Sequence, residues 1–309
     1  MLRVHVAGIR SGLDAAANVA LAVDAVTVAA ADGAGLVVLP EYASRFDPRG
    51  IGPDEAESLD VGFVPALQEA ARVCRVAVIA GTTIPGTPVP GATDPGLVTP
   101  GLATTGSTTT GSTTTDVAAP GVQRAVNAVV AIDASGELVG IYRKVHLYDA
   151  FGHRESDRFE AGPADAPPLL MEVGGLVVGV MTCYDLRFPE SARRLVDAGA
   201  QVIAVPAAWA AGEHKADQWL TLLRARAVEN TAYVIGAAQQ GPDVTGLCVV
   251  VDPEGVIRAQ SVAAALPVVA GLDPDLVAAV RERNPSLVNR RYVVVPAASP
   301  QRPPSAGLP

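Results

Sequence analysis

The sequence has little of what several classes of protein require. Its 309 residues include 23 Lys and Arg against 32 Asp and Glu, a net charge of −9 that disfavours binding to nucleic acid or an anionic membrane. No apolar run reaches the roughly 18 residues that a membrane helix needs, and the first residues do not resemble a signal peptide. These absences predict a cytoplasmic protein without a nucleic-acid or membrane partner.

Cysteine is also scarce. The chain contains three, Cys74, Cys183 and Cys248, an odd number without close spacing. This usage argues against a disulfide framework or a zinc cluster and fits a reduced compartment. Because no spacing of His, Cys and Asp fits a known set of metal ligands, we expect neither a metal nor another cofactor.

The first part of the chain alternates strands and helices. Apolar runs at residues 4–9, 35–39 and 76–82 predict strands, with helices predicted at about 14–31 and 61–73 between them. Ser11 and Asp14 have the spacing of a capping box at the start of the first helix. This order is typical of a layered α/β domain.

The second half adds hairpins to such units. Hairpins are predicted at 125–142 and 247–260, and strands with helices between them at 176–238. Mixed sheets within one large domain, residues 1–292, are therefore expected. The last residues, 293–309, form a tail whose Pro-rich part from Ser299 is predicted to be disordered.

A segment of low complexity interrupts the α/β pattern. Residues 85–121 are rich in Pro, Gly and Thr, and the stretch TTGST occurs twice in succession at 104–113. Such a composition cannot bury apolar surface, so the segment is predicted to be a disordered surface insertion that the fold does not need.

Cys183 is the first candidate for chemistry. The apolar run Leu176–Met181 predicts a buried strand that ends beside it, and six residues later Pro189 and Glu190 open a predicted helix. A thiol near a helix N-terminus can be exposed and held as thiolate. A single cysteine is more often a small buried apolar residue, so this position needs further support.

Three more residues follow predicted strands in the same way. Glu41, Lys144 and Trp209 each come shortly after an apolar run. Because ligands of α/β sheets bind beyond the carboxyl ends of the strands, an acid, a base and a thiol there can form one site. A Cys-His pair with His146 is a rival, since His146 lies two residues after Lys144 and would share its face of a strand.

Six ordered segments resemble the nitrilase superfamily, the carbon–nitrogen hydrolases. They are LPE at 39–41, YRKVHL at 142–147, Glu155 with Phe159 and Gly162, CYDLRFPE at 183–190, Trp219 with LRARAVEN at 223–230, and DPEG at 252–255. The resemblance implies an α-β-β-α sandwich and a triad of Glu41, Lys144 and Cys183, with Glu155 as a supporting glutamate. It is closest to the branch of ω-amidases and deaminated-glutathione amidases, and it implies a homodimer or larger assembly.

The chemistry of amide hydrolysis explains these residue types. Cys183 would attack the carbonyl carbon and form a thioester, while Glu41 moves the protons. Lys144 and the backbone N–H of Tyr184 would stabilise the oxyanion. We expect a small linear amide that carries a carboxylate and releases ammonia. Substrate-binding candidates are Tyr184, Trp209 and Lys215, with Lys215 first for the carboxylate.

Other functions remain open at this point. A nitrilase or an N-carbamoyl amide hydrolase would use the same triad, and a binding protein on this fold would use none of it. Class I glutaminases need a Gly-x-Cys-x-Gly elbow that the sequence around Cys183 lacks, and isochorismatase-like hydrolases carry Asp where this chain has Glu41. Two segments depart from the family pattern, Gly246–Cys248, which has Cys248 in place of serine, and residues 210–217.

Overall fold

The structure, a computed structural model, describes residues 1–87, 124–261 and 267–297. The predicted insertion beyond residue 87 and the predicted tail beyond residue 297 lie outside the described residues, so both remain predictions. The two strands that flank the insertion in sequence are neighbours in one sheet, with Pro85 paired to Ala125.

The described residues form twelve strands and five α-helices. The strands are β1 (Leu2–Val6), β2 (Leu36–Val38), β3 (Ala77–Pro85), β4 (Ala125–Ile132), β5 (Leu138–Arg143), β6 (Leu170–Val173), β7 (Leu176–Val180), β8 (Val202–Ala207), β9 (Tyr233–Ala238), β10 (Val249–Val251), β11 (Ile257–Gln260) and β12 (Val268–Leu272). The helices are α1 (Ala15–Ala31), α2 (Phe63–Cys74), α3 (Pro189–Asp197), α4 (Lys215–Asn230) and α5 (Pro274–Arg283).

Two six-stranded mixed sheets share one pairing pattern. The first has the order β12-β1-β2-β3-β4-β5 and the second β11-β10-β9-β8-β7-β6. In each, three central strands are parallel, β1-β2-β3 and β7-β8-β9, and antiparallel strands flank them on both sides. The parallel strands therefore direct their carboxyl ends to one edge of each sheet.

Alternating side chains build the layers. Leu36 and Val38 of β2 enter the apolar cluster between the sheets, whereas Val37 faces α1 and α2. On the other sheet, Ile203 packs with Trp219 of α4 in a third cluster. The result is the expected α-β-β-α sandwich, so the predicted fold class is confirmed.

Some local expectations were wrong. Asp14, rather than Ser11, caps α1, since its side chain accepts a hydrogen bond from the N–H of Ala17. Ser11 is buried and bonds Gln239 instead. The short strands β6 and β12 and helix α5 were not predicted. No helix in the described ranges is long and apolar enough to cross a membrane.

Candidate active site

Glu41 lies in a strained turn beyond β2. The next residue, Tyr42, has a φ of +59°, a conformation that L-residues rarely adopt. Gly81 of β3 makes two backbone hydrogen bonds to this turn, and a Cβ at Gly81 would collide with the Cα of Glu41. The amide of Gln239 donates to the carbonyl oxygens of Glu41 and Tyr42 at 3.1 and 3.2 Å. These contacts fix the glutamate against the sheet.

Cys183 also lies in a strained turn, beyond β7. Its φ is +45°, and it begins a 3₁₀ turn over Cys183–Arg187. The fully buried Asp185 holds this turn, because its Oδ2 accepts from the N–H of Thr182 at 3.0 Å and from the hydroxyl of Tyr142 at 2.8 Å. Thr182 in turn donates to the carbonyl of Pro206 on β8. The thiol is thereby presented from the second sheet.

Lys144 joins two glutamates at the end of β5. Its Nζ lies 2.8 Å from Oε1 of Glu41 and 2.9 Å from Oε2 of Glu155. Only 2% of the Lys144 side chain is exposed, with 1% for Glu41 and 9% for Glu155. Charges this deeply buried are stable only when paired and hydrogen-bonded, so the three side chains form one unit.

The pairing sets the protonation states of this unit. Burial would lower the pKa of Lys144, but Glu155 and Glu41 raise it well above its ordinary value. Burial would raise the pKa of Glu155, but the charge of Lys144 and a hydrogen bond from Asn127 lower it. The ammonium and the Glu155 carboxylate therefore both stay charged near neutral pH.

Cys183 differs from the expectation of an exposed thiolate. It is buried, and burial together with the charge of Glu41 raises its pKa well above the ordinary value, although Lys144 opposes the shift. Helix α3 begins at Pro189, after the 3₁₀ turn that starts with Cys183, so the cysteine does not lie in the first turn of that helix. Burial and the charge of Glu41 thus both favour the neutral thiol over the thiolate at this position.

The two glutamates differ in how many acceptor positions are free. Glu155 accepts from Tyr42, Asn127 and Lys144 on Oε1 and from Lys144 and the N–H of Tyr148 on Oε2. The Oε1 of Glu41 accepts from Lys144 and Asn127, and among the described residues its Oε2 accepts only from the N–H of Ala208. Each carboxylate oxygen offers about two lone-pair positions, so Oε2 of Glu41 is the one with room for a proton.

His146 does not pair with Cys183. Lys144 and His146 do not share a strand face, because β5 ends at Arg143. The Nδ1 of His146 lies 2.7 Å from Oδ1 of Asp185, and its ring stacks on Phe188 with centroids 3.8 Å apart. The rival arrangement of a Cys-His pair is therefore not present.

An open cavity of ≈ 820 Å³ reaches the buried unit. Its lining includes Glu41, Lys144, Glu155 and Cys183, and also the three predicted substrate-binding residues Tyr184, Trp209 and Lys215. Trp209 is almost fully buried, and its Nε1 donates to the carbonyl of Lys215 at 3.0 Å. Residue 248, by contrast, is absent from the lining, and Cys248 packs between the sheets.

Lys215 and Arg187 form the rim of the cavity. Lys215 Nζ lies 3.4 Å from the centroid of the Phe151 ring and 3.4 Å from the hydroxyl of Tyr148. Arg187 donates to the side chain of Gln218, and its guanidinium lies over the Trp209 ring. Among the described residues, neither cation has a carboxylate within salt-bridge distance.

Asn127 was missed by the sequence analysis. It lies in the middle of β4, fully buried, and its Nδ2 is 2.8 Å from Oε1 of both Glu41 and Glu155. A polar residue inside an otherwise apolar strand is the signal that would have indicated it. In the described parts of the chain, no group of three or more His, Cys, Asp and Glu side chains is arranged to hold a metal.

Comparison with known proteins identifies the family. The model of the carbon–nitrogen hydrolase family matches residues 3–282. The chain belongs to the carbon–nitrogen hydrolases. It is thus an enzyme of the class that hydrolyses carbon–nitrogen bonds. Its buried glutamates, lysine and cysteine lie within the matched range.

Three relatives of this carbon–nitrogen hydrolase are informative. Hydrolase MT0498 of Mycobacterium tuberculosis is 33% identical over 306 residues, 94% of this chain and 95% of that protein. A deaminated glutathione amidase of Escherichia coli O157:H7 is 44% identical over 175 residues, 57% of this chain and 65% of that protein. A mutant amidase of Nesterenkonia sp. AN1, with acrylamide added to its active-site cysteine, has a TM-score of 0.67 and 25% identity over 92% of this chain and 98% of its own.

Proposed function

We propose that this carbon–nitrogen hydrolase converts a small linear amide to a carboxylic acid and ammonia through a thioester on Cys183. The observation that carries the proposal is the buried Lys144 ammonium between Glu41 and Glu155, next to a thiol. Such a unit is costly to bury and has the three groups that covalent amide hydrolysis needs, a nucleophile, a base and a fixed positive charge.

The first step forms the bond between Cys183 Sγ and the amide carbon. As this bond forms, the thiol proton passes to Oε2 of Glu41, the carboxylate oxygen with a free acceptor position. The carbonyl oxygen becomes an oxyanion. The Lys144 ammonium lies near Oε1 of Glu41 and both oxygens of Glu155. Two of its N–H groups are enough to hold one oxygen of each glutamate, so the third can turn from Glu155 to that oxyanion, together with the backbone N–H of Tyr184.

The later steps return every proton. Glu41 gives its proton to the departing nitrogen, the C–N bond breaks, and ammonia leaves a thioester on Cys183. Glu41 then takes a proton from a water molecule as its oxygen attacks the thioester carbon. When the C–S bond breaks, the carboxylic acid is released and the proton returns to sulfur.

The rim of the cavity supports a substrate that carries a carboxylate. Lys215 and Arg187 lie on the wall beside Cys183 with no carboxylate partner among the described residues, in a chain whose net charge is −9. A substrate carboxylate would supply the missing anion. The relatives named deaminated glutathione amidase support the same class. Family resemblance further supports a cytoplasmic homodimer or larger assembly, which light scattering on the purified protein would test.

The test combines labelling with turnover. Limited iodoacetamide followed by peptide mass spectrometry should place the first adduct on Cys183, and ammonia should be released from ω-amides of dicarboxylic acids. Cys183→Ala should fold and lose turnover, whereas Cys248→Ala should keep it. First labelling of Cys74 or Cys248 would refute the nucleophile, and turnover of nitriles or N-carbamoyl amino acids without amide hydrolysis would refute the amidase.

A further inference from the structure

Asn127 occupies a central place in the buried unit. Its side-chain Nδ2 lies 2.8 Å from Oε1 of Glu41, 2.8 Å from Oε1 of Glu155 and 2.9 Å from the hydroxyl of Tyr42. Its backbone carbonyl accepts from the N–H of Lys144 at 2.9 Å. One residue of β4 therefore contacts both carboxylates and the segment that carries the ammonium.

Charge fixes the orientation of this amide. The two N–H groups of Nδ2 match the two glutamate oxygens, since the Tyr42 hydroxyl donates its own proton to Glu155 at 2.7 Å. Turning the amide over would place its oxygen against two carboxylates. The present orientation leaves the Asn127 Oδ1 buried without a hydrogen-bond partner among the described residues. A buried unpaired acceptor is unfavourable, so the two hydrogen bonds from Nδ2 to the glutamates contribute more free energy than the unpaired Oδ1 costs.

Lys144 and Asn127 thus bridge the same two oxygens. Lys144 Nζ and Asn127 Nδ2 both contact Oε1 of Glu41 and Oε1 of Glu155. The lysine supplies hydrogen bonds with a positive charge, and the asparagine supplies them without one. Together they fill the acceptor positions of Oε1 of Glu41.

We propose that Asn127 is a positioning residue that closes Oε1 of Glu41, so that the proton of Cys183 is received at Oε2. The proposal rests on the proposed role of Glu41 as the base. The titratable groups around Asn127 and the Glu41 carboxylate come from four segments: Glu41 and Tyr42 beyond β2, Lys144 beyond β5, Glu155 in the 3₁₀ turn Glu155–Asp157, and Cys183 beyond β7. Because its N–H groups bind the ionised carboxylates, Asn127 favours the deprotonated unit that accepts a proton.

The experiment measures alkylation of Cys183 by iodoacetamide as a function of pH. In this reaction sulfur bonds to the CH₂ carbon, iodide leaves, and the thiol proton passes to Glu41 and then to solvent. Asn127→Leu removes both donors at nearly constant volume. Its alkylation should be slower at neutral pH, and the acidic midpoint of the rate profile should move upward by about one to two pH units, the effect of losing a hydrogen bond to a charged group.

Asn230 provides a matched control. It is also fully buried with an unpartnered Oδ1 within the described residues, and its Nδ2 donates to the carbonyl of Arg226 at the end of α4, away from the cavity lining. Asn230→Leu should lower the melting temperature without moving the pH midpoint of Cys183 alkylation. A structural role of Asn127 alone would give the same result for both variants.

The outcomes separate this proposal from the proposed function. Wild-type labelling that begins at Cys74 or Cys248 would refute the proposed function itself. Labelling at Cys183 with an unchanged midpoint in Asn127→Leu would overturn the role of Asn127 alone. If Asn127→Leu does not fold, NMR of ¹⁵N-asparagine-labelled wild-type protein provides the test. The side-chain amide protons of Asn127 should resist exchange with water, and their chemical shift should change with the same pH midpoint as the alkylation rate. Freely exchanging protons would overturn the proposal.

Discussion

The two lysines of the chain line the same cavity in opposite surroundings. Lys144 is buried between Glu41 and Glu155, whose charges raise its pKa against the effect of burial. Lys215 is half-buried against Phe151, and burial together with the charge of Arg187 lowers its pKa. The first ammonium is already neutralised by protein carboxylates, whereas the second is available to an anion from outside. The cavity thus has a buried floor, formed by Glu41, Lys144, Glu155 and Cys183, and a rim, formed by Lys215 and Arg187. The position of a lysine at the floor or at the rim decides which anion its ammonium can bind.

The largest effect is expected when the floor loses its cation. Lys144→Met leaves two carboxylates buried side by side, so activity should be lost and the free energy of unfolding should fall by about 3–5 kcal/mol, the cost of breaking a buried pair. Lys215→Met is the matched control and should change stability by no more than about 0.5 kcal/mol. Urea denaturation measures both, and equal losses of stability would abolish the contrast.

Glu155→Gln tests the floor without removing the cation. The Nε2 of Gln would replace one carboxylate oxygen and present its N–H groups to Lys144 and to either Tyr42 or Tyr148, which are donors themselves, so Lys144 should move away from the oxyanion. The expected result is a decrease in kcat of about a hundredfold or more with little change in KM, since the substrate itself is not contacted. Steady-state kinetics on an ω-amide measure the two constants. A change confined to KM would place Glu155 in substrate binding.

Lys215→Ala tests the rim. Loss of a charge contact to a substrate carboxylate should lower kcat/KM by roughly tenfold to a hundredfold for amides that carry a carboxylate. Neutral amides of the same length should lose far less. Arg154→Ala is the control, because Arg154 lines the cavity but already pairs with Asp157. Equal losses on charged and neutral amides would remove Lys215 from substrate recognition.

Sequence patterns identified the functional residues that follow strand ends, and they missed a residue whose role depends on neighbours that are distant in sequence. Glu41, Lys144 and Cys183 were predicted to approach one another because each follows an apolar run, and the structure brings them together. Asn127 lies inside a strand, and its contacts with Glu41 require the pairing of β3 and β4 across residues far apart in sequence. The exposure of the thiol was predicted incorrectly for the same reason. Cys183 is buried, and burial together with the charge of Glu41 raises its pKa, neither of which is a local property of the sequence.

Unfolding at alkaline pH compares two buried thiols, Cys183 beside Glu41 and Lys144, and Cys248 in the apolar interior between the sheets. Burial raises the pKa of Cys183, and it raises the pKa of Cys248 to about 11. A thiol whose pKa is higher in the folded than in the unfolded protein contributes stability at pH values below its pKa in the unfolded protein, about 8.5. This contribution is lost as the pH rises further, because only the unfolded state then ionises. Between pH 8 and 9.5, ionisation of each thiol in the unfolded state should therefore lower the free energy of unfolding of the wild type by about 1 kcal/mol.

The single variants Cys183→Ala and Cys248→Ala should each make the decline of unfolding free energy between pH 8 and 9.5 shallower by that amount. Urea denaturation at the two pH values measures it. A shallower decline for Cys248→Ala alone would mean that Lys144 holds Cys183 as a thiolate in the folded protein. Equal changes would mean that the two thiols are protonated alike, so that proximity to Glu41 and Lys144, rather than resting ionisation, distinguishes the reactive cysteine from the inert one.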